Sequence, residues 1–129
     1  MKHSSRFVGL VSTKRELTPS QREALRSLII ALGPDKLIFL HQDVHFWAVA
    51  SEWKLSIEVY NEKDSTASVM VPLQCDILIM FPDESKRLTP HYQTALAHAR
   101  SFKRRIYFLY PQGRVTEEVP GRNATRTSS

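Results

Sequence analysis

The sequence predicts an α/β fold, a three-layer sandwich on a five-stranded parallel sheet of order 3-2-1-4-5. Two observations carry this expectation. Short apolar runs of strand length alternate with longer stretches whose apolar residues recur at helical spacing, from Phe7 to Tyr110. The first and fourth runs, Phe7 to Val11 and Asp76 to Phe81, are almost continuously apolar, as strands are when helices cover both faces of a parallel sheet. Right-handed crossovers then put the switch point, where ligands sit in open sheets of this kind, between strands one and four.

Each element has a local reason. After strand one comes a polar, basic loop, Ser12 to Leu17, and then a helix with a complete start signal. Thr18 is an N-cap, Pro19 takes the first helical position, and Gln21 is placed to close a capping box. Leu25, Leu28, Ile29 and Leu32 form its apolar stripe, and Gly33-Pro34 ends it. Strand two is Leu37 to Leu40. Asp43 is a candidate N-cap for a bulky second helix, Val44 to Trp53, and Leu55 to Tyr60 alternates as an edge strand does. Ala67 to Gln74 reads as a short helix broken or kinked at Pro72. Strand four is followed by a second polar loop, Asp83 to Leu88. Thr89-Pro90 repeats the cap of Thr18-Pro19 for a helix reaching about Lys103, and strand five is Ile106 to Tyr110. Residues 1–113 are expected to form one domain, and 114–129 a polar, flexible C-terminal tail.

Composition narrows the function classes. The 129-residue chain is 42% hydrophobic and 24% charged, enough apolar material for one core. One cysteine, Cys75, allows neither an internal disulfide nor a thiolate zinc site, and a cytoplasmic location is expected. No apolar run approaches the roughly 20 residues that span a bilayer, so no membrane partner is expected. The net charge of +5 favours anionic partners.

The run Leu10-Val11-Ser12-Thr13-Lys14, followed by Leu17-Thr18-Pro19 with Gln21 and Leu25, resembles the opening of the SLOG superfamily. These are Rossmann-like domains related to the cytokinin-activating lonely-guy proteins and to DNA-processing protein A. His41-Gln42-Asp43 stands where many small members carry His-Gly-Asp. Asp76-Ile77-Leu78-Ile79 with Pro82 is similar to their fourth strand, and His98-Ala99-Arg100 to their last helix. The resemblance spans about Phe7 to Gly113 and implies a Rossmann-like fold with a ligand crevice. Departures mark a degenerate member. Ser12 replaces a glycine, His45-Phe46-Trp47-Ala48 replaces a small-residue run, about His91-Tyr92 replaces Gly-Thr, and Ala67-Ser68 stands near a usual Arg-Asn pair. Glycines in such loops let backbone N–H groups approach a phosphate, and several are lost here. The Pro-Gly-Gly motif of the phosphoribohydrolase branch is absent, so that activity is not implied.

Topology makes the loops after strands one and four neighbours. Ser12, Thr13, Lys14 and Arg15 would face Ser85, Lys86, Arg87 and Thr89, four cations near two helix N-termini, an arrangement suited to an anion. His41 and Asp43, with His45 and His91, form a second group. A histidine oriented by a carboxylate can act as a base, but Asp43 is equally an N-cap and His41 a strand terminus. The same types can ligate metal, but their spacing across a strand–helix corner makes no preformed site, and no metal or other cofactor is expected. Arg100, Lys103, Arg104 and Arg105 form a basic run, readable as a nucleic-acid patch or as cations complementing a helix C-terminus. Phe46 and Trp47 read as core or as a stacking rim for a base.

The expected ligand-binding set is Ser12, Thr13, Lys14, Arg15, His41, Asp43, Lys86, Arg87, Thr89 and His91, with no catalytic residue assigned. The expected function is non-catalytic binding or sensing of a nucleotide or nucleotide-derived anion. One alternative is an enzyme acting on a nucleoside N-glycosidic bond, with Asp43, Asp83 and Glu84 the nearby carboxylates. The other is an interaction protein for nucleic acid or an acidic protein surface. A homodimer through the bulky second helix is a further expectation.

Overall fold

The computed structural model describes residues 6–13, 16–61, 63–64, 66–82 and 89–120. In chain order the elements are β1 (Phe7–Ser12), α1 (Pro19–Leu32), β2 (Lys36–Leu40), α2 (Val44–Trp53), β3 (Ser56–Tyr60), α3 (Ala67–Gln74), β4 (Ile77–Phe81), α4 (Pro90–Ser101), β5 (Arg105–Leu109) and β6 (Val115–Glu118). They build an α/β, Rossmann-like sandwich. The sheet order is β3-β2-β1-β4-β5-β6, and every pairing is parallel except the last.

The sixth strand corrects the expected five. Val115–Glu118 lies in the stretch read as a loose tail, yet it pairs antiparallel with β5 in register Leu109↔Val115 and Ile106↔Glu118. Gly113, in the left-handed region at φ 92°, lets the chain reverse within a few residues. Acidic side chains on β6 then meet basic ones at the start of β5 and near the end of α4. Arg105 Nε donates to Glu117, and Arg100 donates to Glu118 with two nitrogens, at 2.8 and 2.9 Å.

Two apolar layers flank the sheet. On one side Leu25, Ile29 and Leu32 of α1 and Phe46 and Ala50 of α2 pack on Val8, Leu10, Leu37, Phe39, Ile79 and Phe81. On the other, Val71, Tyr92, Ala95 and Ala99 of α3 and α4 pack on Val11, Ile38, Leu78, Met80 and Ile106. Alternate residues of β1 serve opposite layers, which is why its sequence is apolar throughout. Gly9 has a packing reason: a Cβ there would lie 2.9 Å from Leu78 Cδ1 and 3.1 Å from Cys75 Sγ. Cys75 is buried, and burial pushes its thiol up to about 12, so it is an inert core group.

The helix caps divide into those obeyed and one overruled. Thr18 accepts from Gln21 N, Gln21 answers the Thr18 N–H, and Gly33 closes α1 in the left-handed conformation at φ 57°. Thr89 caps α4 in the same way, accepting from Tyr92 N at 3.2 Å. Asp43 makes no side-chain cap to α2. Its carboxylate is drawn to Ser12 instead, and backbone bonds to the carbonyls of Leu40, Gln42 and Asp43 form the turn into the helix. Pro72 does not break α3, which runs through it to Gln74. Arg104, from the basic run, caps that helix by donating to the carbonyls of Pro72 and Leu73 at 3.1 and 3.0 Å. Among the described residues, no helix is long and apolar enough to cross a membrane.

Candidate functional site

The carboxyl ends of β1 and β4, paired side by side through Ser12↔Phe81, form the switch point. Ser12 and Thr13 leave β1 there with only 7% and 4% of their surfaces exposed. Buried hydroxyls at a strand end are costly without partners. Ser12 Oγ donates to Asp43 Oδ1 at 3.4 Å, a long contact, across 31 positions of sequence. The second oxygen of Asp43, Oδ2, is also buried. The end of β1 and the turn after β2 therefore meet through Ser12 and Asp43, with buried Thr13 next in the chain.

The α4 side contributes less directly. The Thr89 hydroxyl oxygen serves its own helix. His91 lies half-buried in the first turn of α4 with its Nε2 atom buried. His41 is exposed after β2. Its carbonyl accepts from Trp47 Nε1 at 3.0 Å and its ring meets the Trp47 ring edge-on, with centroids 5.6 Å apart. Trp47 thus leans over the end of β2. Phe46 cannot rim a pocket or stack on a base, because it is fully buried between Phe39 and Phe81. Tyr92 is likewise core, on the opposite face. Lys14, Arg15, Ser85, Lys86 and Arg87, the remaining expected contacts, and the carboxylates Asp83 and Glu84, lie outside the described residues.

Gln21 organises this end of the sheet. Besides the cap, its Nε2 donates to Pro82 O at 3.1 Å and to Leu109 O at 2.9 Å, while Thr18 Oγ1 donates to Pro111 O at 2.6 Å. The start of α1 is thereby fastened over the ends of β4 and β5, and its cap is closed by protein groups. The sequence shows Gln21 as a capping-box residue, but its second task joins positions 61 and 88 residues away.

The basic run is largely committed to the fold. Arg100 and Arg105 pair with β6 carboxylates, and Arg104 caps α3. A phosphate-binding patch needs cations available to phosphate, so this stretch gives the nucleic-acid reading no support.

A concavity lies between α1, α2 and the β1–α1 loop, with a volume of about 440 Å³. Leu17, Val44, Ala48 and Val49 give it apolar walls. Glu16, Arg22 and His45 stand among them, and the Arg26–Glu52 ion pair, 3.0 Å long, lies at its border. Burial holds the His45 imidazole below its ordinary pKa of 6.5, with Glu16 pulling it up and Arg22 pushing it down. His45 Nε2 is buried and meets no hydrogen-bond partner among the described residues. The sequence groups His45 with His41, Asp43 and His91, whereas packing places it in the lining of this helix-pair cleft.

Among the described residues no three histidine, cysteine or carboxylate side chains are gathered closely enough to hold a metal ion. Comparison with protein-family models, with curated proteins and with solved structures finds no match to this chain.

Proposed function

We propose that the protein binds a nucleotide or nucleotide-derived anion at the β1/β4 switch point and senses it without chemical conversion, as a degenerate member of the SLOG superfamily that its sequence resembles. The observation that carries this reading is the buried Ser12–Thr13 pair beside Asp43 at the position where open α/β sheets hold ligands. Hydroxyls at a strand end donate to phosphate or sugar oxygens. A carboxylate at the end of the second strand accepts from ribose hydroxyls, the role an acidic residue plays in dinucleotide-binding sheets. With Ser12 in place of glycine, recognition would rest on side chains more than on bare backbone.

Thermal denaturation with a panel of mononucleotides, cyclic nucleotides and ADP-ribose tests the reading. A ligand at about 100 times its Kd stabilises by about 2.7 kcal/mol, a rise of several degrees for a chain of this size. Ser12→Ala and Asp43→Asn should each reduce that rise. No stabilisation by any member, or an unchanged response in both variants, would overturn it.

A further inference from the structure

The cleft between α1 and α2 shares no lining residue with the Ser12, Thr13 and Asp43 group. Two arginines and two glutamates line it, so its formal charge is zero with His45 neutral. Arg26 and Glu52 already satisfy each other. Arg22 makes one long contact, donating to the Leu17 carbonyl at 3.4 Å, and Glu16 makes no ion pair with a described residue. One cation and one anion thus line the same cavity as the His45 ring, whose Nε2 has no hydrogen-bond partner among the described residues. The rest of the wall is apolar, and Val44 stands 72% exposed at its rim.

We propose that this cleft is a binding site for a small zwitterion with an apolar body, an α-amino acid with an aromatic or branched side chain. A nucleotide suits it poorly, since a multiply charged anion would meet Glu16 and Glu52 as well as the arginines. An amino acid matches it group by group. The Arg22 guanidinium takes the carboxylate, which its planar fork can hold with two hydrogen bonds. Glu16 takes the ammonium. The His45 ring lines the same cleft and lies against the bound ligand. The side chain covers Val44, Ala48 and Val49. The volume of about 440 Å³ lies in the range of small-molecule pockets and holds a molecule of this size.

The test uses the full chain and L-phenylalanine, L-leucine and L-glutamate as probes, read by calorimetry and by the imidazole resonances of His45. L-Phenylalanine and L-leucine should bind and shift His45, with L-glutamate at least roughly tenfold weaker. 3-Phenylpropionate and phenethylamine, each lacking one charge, should bind more weakly than L-phenylalanine. Arg22 is exposed, so Arg22→Gln should fold normally and lose roughly tenfold in affinity. Arg26→Gln, which removes a cation already paired, should lose less. Absence of any His45 shift with L-phenylalanine or L-leucine overturns the proposal, as does binding that Arg22→Gln leaves unchanged. Neither result touches the nucleotide reading, which depends on Ser12 and Asp43.

Discussion

Replacing Gln21 by leucine should destabilise the protein far more than a helix N3 substitution ordinarily does. Gln21 is 3% exposed and makes three side-chain hydrogen bonds: it accepts from Thr18 N at 2.9 Å and donates to Pro82 O at 3.1 Å and Leu109 O at 2.9 Å. Leucine fills similar space but leaves one N–H and two carbonyls short of a partner. A lost capping contact costs about 1 kcal/mol, and each buried polar group left short of a bond about 1 kcal/mol or more. The sum for Gln21→Leu is about 2–4 kcal/mol. With a urea slope of about 2 kcal/mol per molar, the unfolding midpoint should fall by about 1–2 M. Gln21→Glu separates the two tasks. It keeps the oxygen that caps Thr18 but aims a carboxylate at two carbonyls, so at neutral pH it should be at least as damaging as leucine. Lowering the pH should then recover part of the loss, because the introduced carboxyl, once protonated, can donate to one carbonyl. Equilibrium urea unfolding followed by tryptophan fluorescence provides the measurement. A loss below about 0.5 kcal/mol for Gln21→Leu, or a neutral-pH Gln21→Glu as stable as the parent, would refute the fastening role.

Two further outcomes can be checked with the same assay. Gly9→Ala should cost about 1–3 kcal/mol, because its Cβ would press on Leu78 and Cys75, and combining it with Leu78→Val should cost less than the sum of the two single changes. His45 contributes a pH dependence of fixed sign: its folded pKa lies below 6.5, so as pH falls below about 6.5 the unfolded chain takes up the proton first and stability drops, until the folded imidazole also titrates. His45→Gln should flatten that slope, and an NMR pKa for His45 at or above 6.5 would contradict it.

The elements whose causes are local were legible in the sequence. The Thr18–Pro19–Gln21 start and the Gly33 stop of α1 act within about four residues, and both stand where the sequence puts them. The continuous apolar runs of β1 and β4 likewise announce strands covered on two faces, and alternation placed β3 at an edge. Asp43 shows where local reading stops. As a residue preceding a helix it reads as a cap, but Ser12 lies within reach and takes one of its oxygens. Whether a side chain caps its own helix or serves a distant strand depends on which neighbour the fold supplies.

The same distinction separates what each level decided about the candidate sites. The sequence by itself determined the α/β class, the parallel core of the sheet and the β1/β4 switch point at Ser12, because periodicity and crossover handedness act through the backbone wherever the chain goes. Tertiary structure decided β6, since a short, half-polar stretch becomes a strand only when β5 offers an edge and Arg100 and Arg105 offer charges. It decided that Arg104 caps a helix 32 positions away, that Phe46 and Tyr92 are core, and that His45 faces a cleft between α1 and α2. Each of these depends on which elements come to lie side by side, and no local pattern records a neighbour that arrives from dozens of residues away.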